Sequence, residues 1–317
     1  MYNSELKTKF LQSYTTRLQT ASDIKTVFEK IASTEEKYDT DFACMTDEQA
    51  LEAINSLGYL RSASLEFRIG ALRQYVRWNI SIGTPGVNSN ITELEATDVS
   101  HLRKKLVKNP MHLAQILNAI YAPVSDGTTD NLYRLYIWLF YAGMNDEQVF
   151  KCTKDDVDYK NMSICVDGEY FPIYREYMDV VVFCCDAEEI TERRTIVTKS
   201  RSKSPRIPGN ELYRGIIQNK NPNSARSNIA ARLASEYHKG TVDVMLSRTT
   251  LTFSGMFYRM YERETMGFPI DFTNDALRIM KGKNYKIVGN RTLNVKRGRI
   301  VRDLEDDYGL WKEAYNL

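Results

Sequence analysis

The chain has 317 residues, 43% of them hydrophobic and 26% charged, with a formal net charge of only +2. This is the composition of a soluble globular protein with room for two domains. It excludes a membrane span, because no apolar run reaches the roughly 18 residues one requires. The opening "MYNSELKTKFLQSY" has no signal-peptide core, so a cytoplasmic protein is expected. The five cysteines are odd in number and lack a C-x-x-C spacing, which speaks for reduced thiols and against a disulfide framework or zinc site.

In chain order, residues 1–80 read as a helical domain. Leu6, Phe10, Leu11, Tyr14 and Leu18 keep helical spacing, and Ile24, Val27, Phe28 and Ile31 continue it. "TDEQALEAINSLG" opens with Thr46 and Gln49 as a capping box and closes at Gly58. "SASLEFRIGALRQYVRW" places Leu65, Ile69, Leu72 and Val76 on one face. Residues 81–99, rich in Gly, Pro, Asn, Ser and Thr, read as a linker. Residues 100–317 read as a second, mostly helical domain. It carries a hairpin, "MSICVD" and "YFPIY" around a Gly168-Glu169 turn, and "RTIVTK" as a candidate third strand. Helical patterns follow at 209–218, 223–238, 250–264, 273–281 and 300–315. The expected fold is mainly α with a small antiparallel β element.

Charge is unevenly placed. "ERRTIVTKSRSKSPR" and "KGKNYKIVGNRTLNVKRGRIVR" are strongly basic, while acids collect in "DLEDDY". Basic segments on a near-neutral chain point to one cationic face and a polyanionic partner. No H-E-x-x-H, Walker loop or G-x-G-x-x-G occurs, and "FSGMF" is not a nucleophile elbow. Nothing supports a hydrolase or nucleotide enzyme, and no metal, cofactor or small-molecule substrate is expected.

Two stretches carry a family resemblance. "YAGMNDEQV" follows the apolar run "NLYRLYIWLF", and "MLSRTTLTFSGMFYRMYERE" lies a hundred residues on. With the two-domain layout they resemble the tyrosine recombinase (phage integrase) family. The first has the outline of that family's Gly-apolar-Arg-x-x-Glu box, with Asn145 in place of the arginine and Gln148 in place of the glutamate. An amide cannot offer the bidentate fork that a guanidinium gives a phosphate. Asn145 also reads simply as the cap of helix "DEQVFK". The second resembles the His-x-x-Arg box, with Met245 in place of the histidine and Arg248 as the retained arginine. A thioether cannot protonate a leaving group. The family's hairpin lysine has no counterpart in the acidic turn at Asp167-Gly168-Glu169. For its nucleophile, Tyr308 is the first candidate, Tyr315 the second and Tyr285 the third.

The resemblance implies a two-domain tyrosine-recombinase-like architecture that closes around double-stranded DNA: a core-binding-like domain at 1–80 and a degenerate catalytic-type domain at 100–317. It is similar to the integrase-like repressors of SPβ-type temperate phages, which would bind operator sites and leave them uncut. Expected DNA-binding residues are Arg68, Arg73, Gln74 and Arg77 on the fourth helix, and Lys199, Arg201, Lys203 and Arg248 in the second domain, with Arg226, Arg259 and Arg263 as weaker candidates. The amphipathic C-terminal helix, with Ile300, Leu304, Tyr308 and Trp311 on one face, is read either as folding back or as reaching a neighbouring copy. Two alternatives stay open: a divergent active recombinase using Arg248 and Tyr308, and an interaction protein with no DNA role. Self-association and a protein antagonist are open as well.

Overall fold

Helical spacing of apolar residues in the first eighty positions does produce helices. A computed structural model describes residues 1–14, 18–191, 203–215, 222–274 and 290–317. They fall into two compact units, one of Met1–Leu102 with Arg302–Ala314, the other of Arg103–Val301 with Tyr315–Leu317.

The N-terminal unit holds α1 (Ser4–Gln12), α2 (Leu18–Tyr38), α3 (Asp47–Ser56) and α4 (Ser62–Ser81). Phe10, Phe28, Ile31, Phe42, Leu72 and Tyr75 fill its core. Phe10 meets the edges of Phe28 and Tyr75 at centroid distances of 6.0 and 5.3 Å, geometries that favour aromatic quadrupoles. The Thr46/Gln49 capping box forms as expected. Gly58 follows α3 with φ of 51°, a left-handed conformation that glycine adopts without strain. The interior is not wholly apolar. Lys7 and Glu35, both fully buried, are hydrogen-bonded to each other. Asp41 joins them, accepting from Tyr75 Oη at 2.9 Å and Asn3 Nδ2 at 3.0 Å.

Residues 81–99, read from sequence as a linker, are folded onto this unit. Ile91 is buried in its core, and Asn55 Oδ1 accepts from the Thr97 and Asp98 amides at 3.0 and 3.2 Å. The polar, turn-rich composition reflects short local turns here. Part of the last helix, α11 (Asn290–Tyr315), also belongs to the N-terminal unit: Leu304, Tyr308 and Trp311 are buried. Asp307 accepts from the Ser62 amide at 2.6 Å and from Arg61 Nε at 3.0 Å, so its carboxylate caps α4.

The second unit is built on α6 (Asp130–Ala142), buried along nearly its whole length. Around it lie α5 (Pro110–Ile120), α7 (Asp146–Lys151), α8 (Met178–Asp186), α9 (Pro222–His238) and α10 (Arg248–Thr265). The approach of α10 to α6 depends on a glycine: a Cβ on Gly255 would lie 1.8 Å from the Tyr141 carbonyl oxygen. Arg259 Nη1 donates to the same oxygen at 2.8 Å.

A three-stranded antiparallel sheet runs β1 (Val157–Asp158), β2 (Ser163–Val166), β3 (Glu169–Pro172). Val166 pairs with Glu169, so the turn residues are Asp167 and Gly168, not Gly168 and Glu169. Both have positive φ, 52° and 77°, the signature of the tight turn that suits strand twist. The third strand of this sheet is β1 and not "RTIVTK", which lies outside the described residues. A second, two-stranded sheet pairs β4 (Glu189–Thr191) with β5 (Lys203–Pro205). Of the helix expected at 209–218, residues 209–215 are turns and an isolated bridge from Thr153 to Glu211. The Leu212 amide donates to the Cys152 carbonyl at 2.7 Å, which commits the backbone to a tertiary bond. The 250–264 and 223–238 patterns are α10 and α9. Of 273–281, only 273 and 274 are described, and both are helical.

Candidate nucleic-acid interface

In the second unit the turn from α6 into α7 positions the stretch read from sequence as resembling a family box. Gly143 ends α6 with φ of 107°, and Met144 is buried. Asn145 then caps α7 with its side-chain oxygen on the Gln148 amide at 3.0 Å, and Gln148 returns a bond to the Asn145 amide at 3.0 Å. Gln148 Nε2 also donates to Glu169 of the hairpin at 2.9 Å. Both amides are therefore committed to structure. Tied this way, they secure the helix start to the hairpin.

Next to Asn145, Asp146 gathers three donors. Tyr136 Oη donates to it at 3.0 Å, Arg226 Nη2 lies 3.0 Å away, and Arg248 Nη1 pairs with its other oxygen. Burial, then the charge of Asp146, pushes the Tyr136 hydroxyl up to about 12. The Arg248 guanidinium also sits 5.8 Å from the centroid of the Phe140 ring, a cation–π distance. Ser247 and Thr250 cap the start of α10 behind it.

Met245, expected from the resemblance at a histidine position, is 44% exposed. Its amide donates to the Lys104 carbonyl at 2.8 Å. That bond brings "HLRKKLVK" beside the start of α10, with Arg103 and Lys104 both exposed. Sequence reasoning missed this run. Its signal was present, four basic residues between 103 and 108, but it was overshadowed by the longer basic stretches downstream.

The other expected residues divide. Lys203 is exposed on β5. Lys199 and Arg201 lie outside the described residues, as does Tyr285. Arg206, from the same basic stretch, is no surface cation: it is buried and donates to the carbonyls of Cys184, Ala187, Leu212 and Arg214 at 2.7–3.2 Å. Arg259 is committed to Tyr141, and Arg263 donates to the Pro269 carbonyl at 3.1 Å. Tyr308 is 3% exposed and lies 5.9 Å from Trp311 in a stacked pair within the N-terminal unit. Tyr315, in the second unit, donates to the Leu106 carbonyl.

In the N-terminal unit, α4 buries Ile69, Leu72 and Val76 as its spacing predicts. Its polar residues do not form one free cationic face. Arg68 donates to the carbonyls of Leu57 (3.1 Å) and Gly58, closing the end of α3. Arg73 donates to the Leu94 carbonyl at 3.0 Å and to Glu95 at 2.6 Å. Gln74 accepts from Tyr14 Oη. Arg77 is exposed, and with exposed Phe67, Gln74 and Ser81 it marks the outward face.

Residues 1–81 match a family model described as "MrpR, N-terminal core-binding domain". No curated protein matches the chain. Among the described residues no helix is long and apolar enough to cross a membrane. The N-terminal quarter of this chain is thus similar to a recombinase-type core-binding domain, and the part so matched ends with α4.

Proposed function

We propose that this chain binds double-stranded DNA sequence-specifically on a recombinase-type frame that performs no strand cleavage, and that it serves as a transcriptional regulator of the lysogeny-repressor kind. The observation that carries the reading is the mutual capping of Asn145 and Gln148. Where the resembled family places a phosphate-binding arginine, this chain has a helix cap. The match of residues 1–81 to a core-binding domain supports the DNA partner. The repressor assignment draws on the resemblance to integrase-like phage repressors. The competing nucleophile reading would need a reactive hydroxyl from Tyr308, which is packed against Trp311.

In this reading α4 presents Arg77 and its neighbours to a groove, while Lys203, Arg103 and Lys104 contact backbone phosphates. Base edges supply sequence discrimination and phosphates supply register. Binding measured against fragments of the protein's own replicon and against unrelated duplex tests it. The expected result is one or a few fragments bound at least ~10³-fold more tightly than unrelated DNA. The affinity should fall ~10³–10⁵-fold between about 50 and 200 mM salt if six to ten phosphates are neutralised. Equal affinity for every duplex would contradict sequence specificity, and no binding to any would contradict the reading as a whole.

A further inference from the structure

Four helices of the second unit converge on Asp146. Tyr136 comes from α6, Asp146 opens α7, Arg226 lies on α9 and Arg248 opens α10. One carboxylate thus holds two guanidinium groups and a phenol. The arrangement is a complete anion site whose anion is supplied by the chain itself. Its charged members face water, the side chains of Asp146, Arg226 and Arg248 being 29%, 35% and 51% exposed, while Tyr136 is buried behind them. Among the described residues, the Arg226 Nε is buried without a hydrogen-bond partner at the same place.

We propose that Tyr136, Arg226 and Arg248 form a backbone-phosphate site that Asp146 fills in the free protein and yields when DNA binds. A phosphodiester offers two charged oxygens to guanidinium forks as a carboxylate does, and it comes with neighbouring phosphates that one aspartate cannot match. Partly exposed ion pairs are weak and screened by salt, so the exchange costs little. The start of α10 contributes backbone N–H groups that also favour an anion. Arg226 thereby becomes a DNA-contacting residue. Asp146 becomes an internal competitor that lowers affinity for every duplex while keeping the arginines ordered and the site soluble.

The proposal rests on the DNA-binding reading above, and one set of measurements separates their failures. The wild-type protein, Asp146→Asn and the triple variant Asp146→Asn/Arg226→Ala/Arg248→Ala are titrated with a short duplex of unrelated sequence at several salt concentrations. Thermal melts confirm that each is folded. Asp146→Asn is expected to bind roughly tenfold more tightly, equivalent to about 1.4 kcal/mol. Its log–log salt dependence should steepen by about 1–2, one step per arginine released to a phosphate. The triple variant should lose both gains. Equal or weaker binding by a folded Asp146→Asn overturns the exchange site and leaves DNA binding intact. A gain that survives in the triple variant also overturns it, because the effect would then be general charge. No binding by any of the three proteins overturns both readings. Should Asp146→Asn fail to fold, Arg226→Ala in the wild-type background decides: unchanged affinity and salt dependence overturn the site.

Discussion

Asn145 and Gln148 hold each other, each side-chain oxygen accepting from the other's backbone N–H at 3.0 Å. This closed pair starts α7 and, through Gln148 and Glu169, ties it to the hairpin. An arginine at 145 would have to give up the cap to reach a phosphate. Asn145→Arg is therefore expected to cost about 1 kcal/mol of stability and to restore no cleavage, since Met245 and the acidic hairpin turn remain. Chemical denaturation reads the first effect and an SDS-resistant DNA adduct would refute the second.

On α4, Arg77 and Arg73 share a spacing but differ in their commitments. Arg77→Ala is expected to weaken binding to the preferred fragments by about 1–3 kcal/mol and to narrow their advantage over unrelated DNA, with an unchanged melting temperature. Arg73 is tied to Leu94 and Glu95, so Arg73→Ala should mainly loosen residues 94–95. Hydrogen exchange of those amides, measured beside DNA affinity, checks the distinction. A larger affinity loss from Arg73→Ala than from Arg77→Ala would reverse the assignment.

Fully buried Lys7 and Glu35 sit in the core of the N-terminal unit with Asp41 and Tyr75 nearby. Breaking a buried pair leaves a charge without its partner, which typically costs ~3–5 kcal/mol. Lys7→Met alone should lower the unfolding free energy from urea titration by an amount in that range. Lys7→Met/Glu35→Gln should recover part of it, because no unpaired carboxylate is left at 35. Additive losses in the double variant would show that the two residues do not act as a pair.

His112 supplies a pH dependence. Its Nδ1 accepts the Lys108 amide at 3.2 Å, so the ring is neutral. Burial is the main cause that lowers its pKa, with Lys108 adding to it and Asp243 opposing it. The unfolded chain takes up a proton near pH 6.5, while the folded chain resists until lower pH. Its stabilising contribution is therefore full above about pH 6.5 and is lost as the pH falls through the window down to the folded pKa. His112→Asn should flatten that part of the stability profile. A profile unchanged by the substitution would remove His112 as its source.

The helices of the N-terminal unit were legible because their apolar periodicity and caps agree, as at Thr46/Gln49 and along Leu65, Ile69 and Leu72. The hairpin was legible too, although its turn lies one residue earlier, at Asp167 and Gly168, both with positive φ. The structured 81–99 segment was not legible. Its turn-forming composition is that of a linker, and only the burial of Ile91 distinguishes it. Over 209–215 the expected helix does not form, and Leu212 bonds instead to Cys152, far away in sequence. At the candidate site, Asn145, Gln148, Met245 and Arg248 were singled out by the family resemblance. The role of Asp146 was not legible, because Arg226 and Arg248 reach it from 80 and 102 residues away. Nor could sequence tell which arginines on one helix face are occupied by carbonyls.

The central claim is a recombinase-type frame that holds DNA without cutting it. One binding reaction tests it most directly: the protein is mixed with fragments of its own replicon, and half is run on a native gel, half after SDS. The account predicts fragments retained on the native gel and fully released by SDS. Fragments still attached after SDS, and freed by Tyr308→Phe or Tyr315→Phe, would reveal a live tyrosine nucleophile and contradict it.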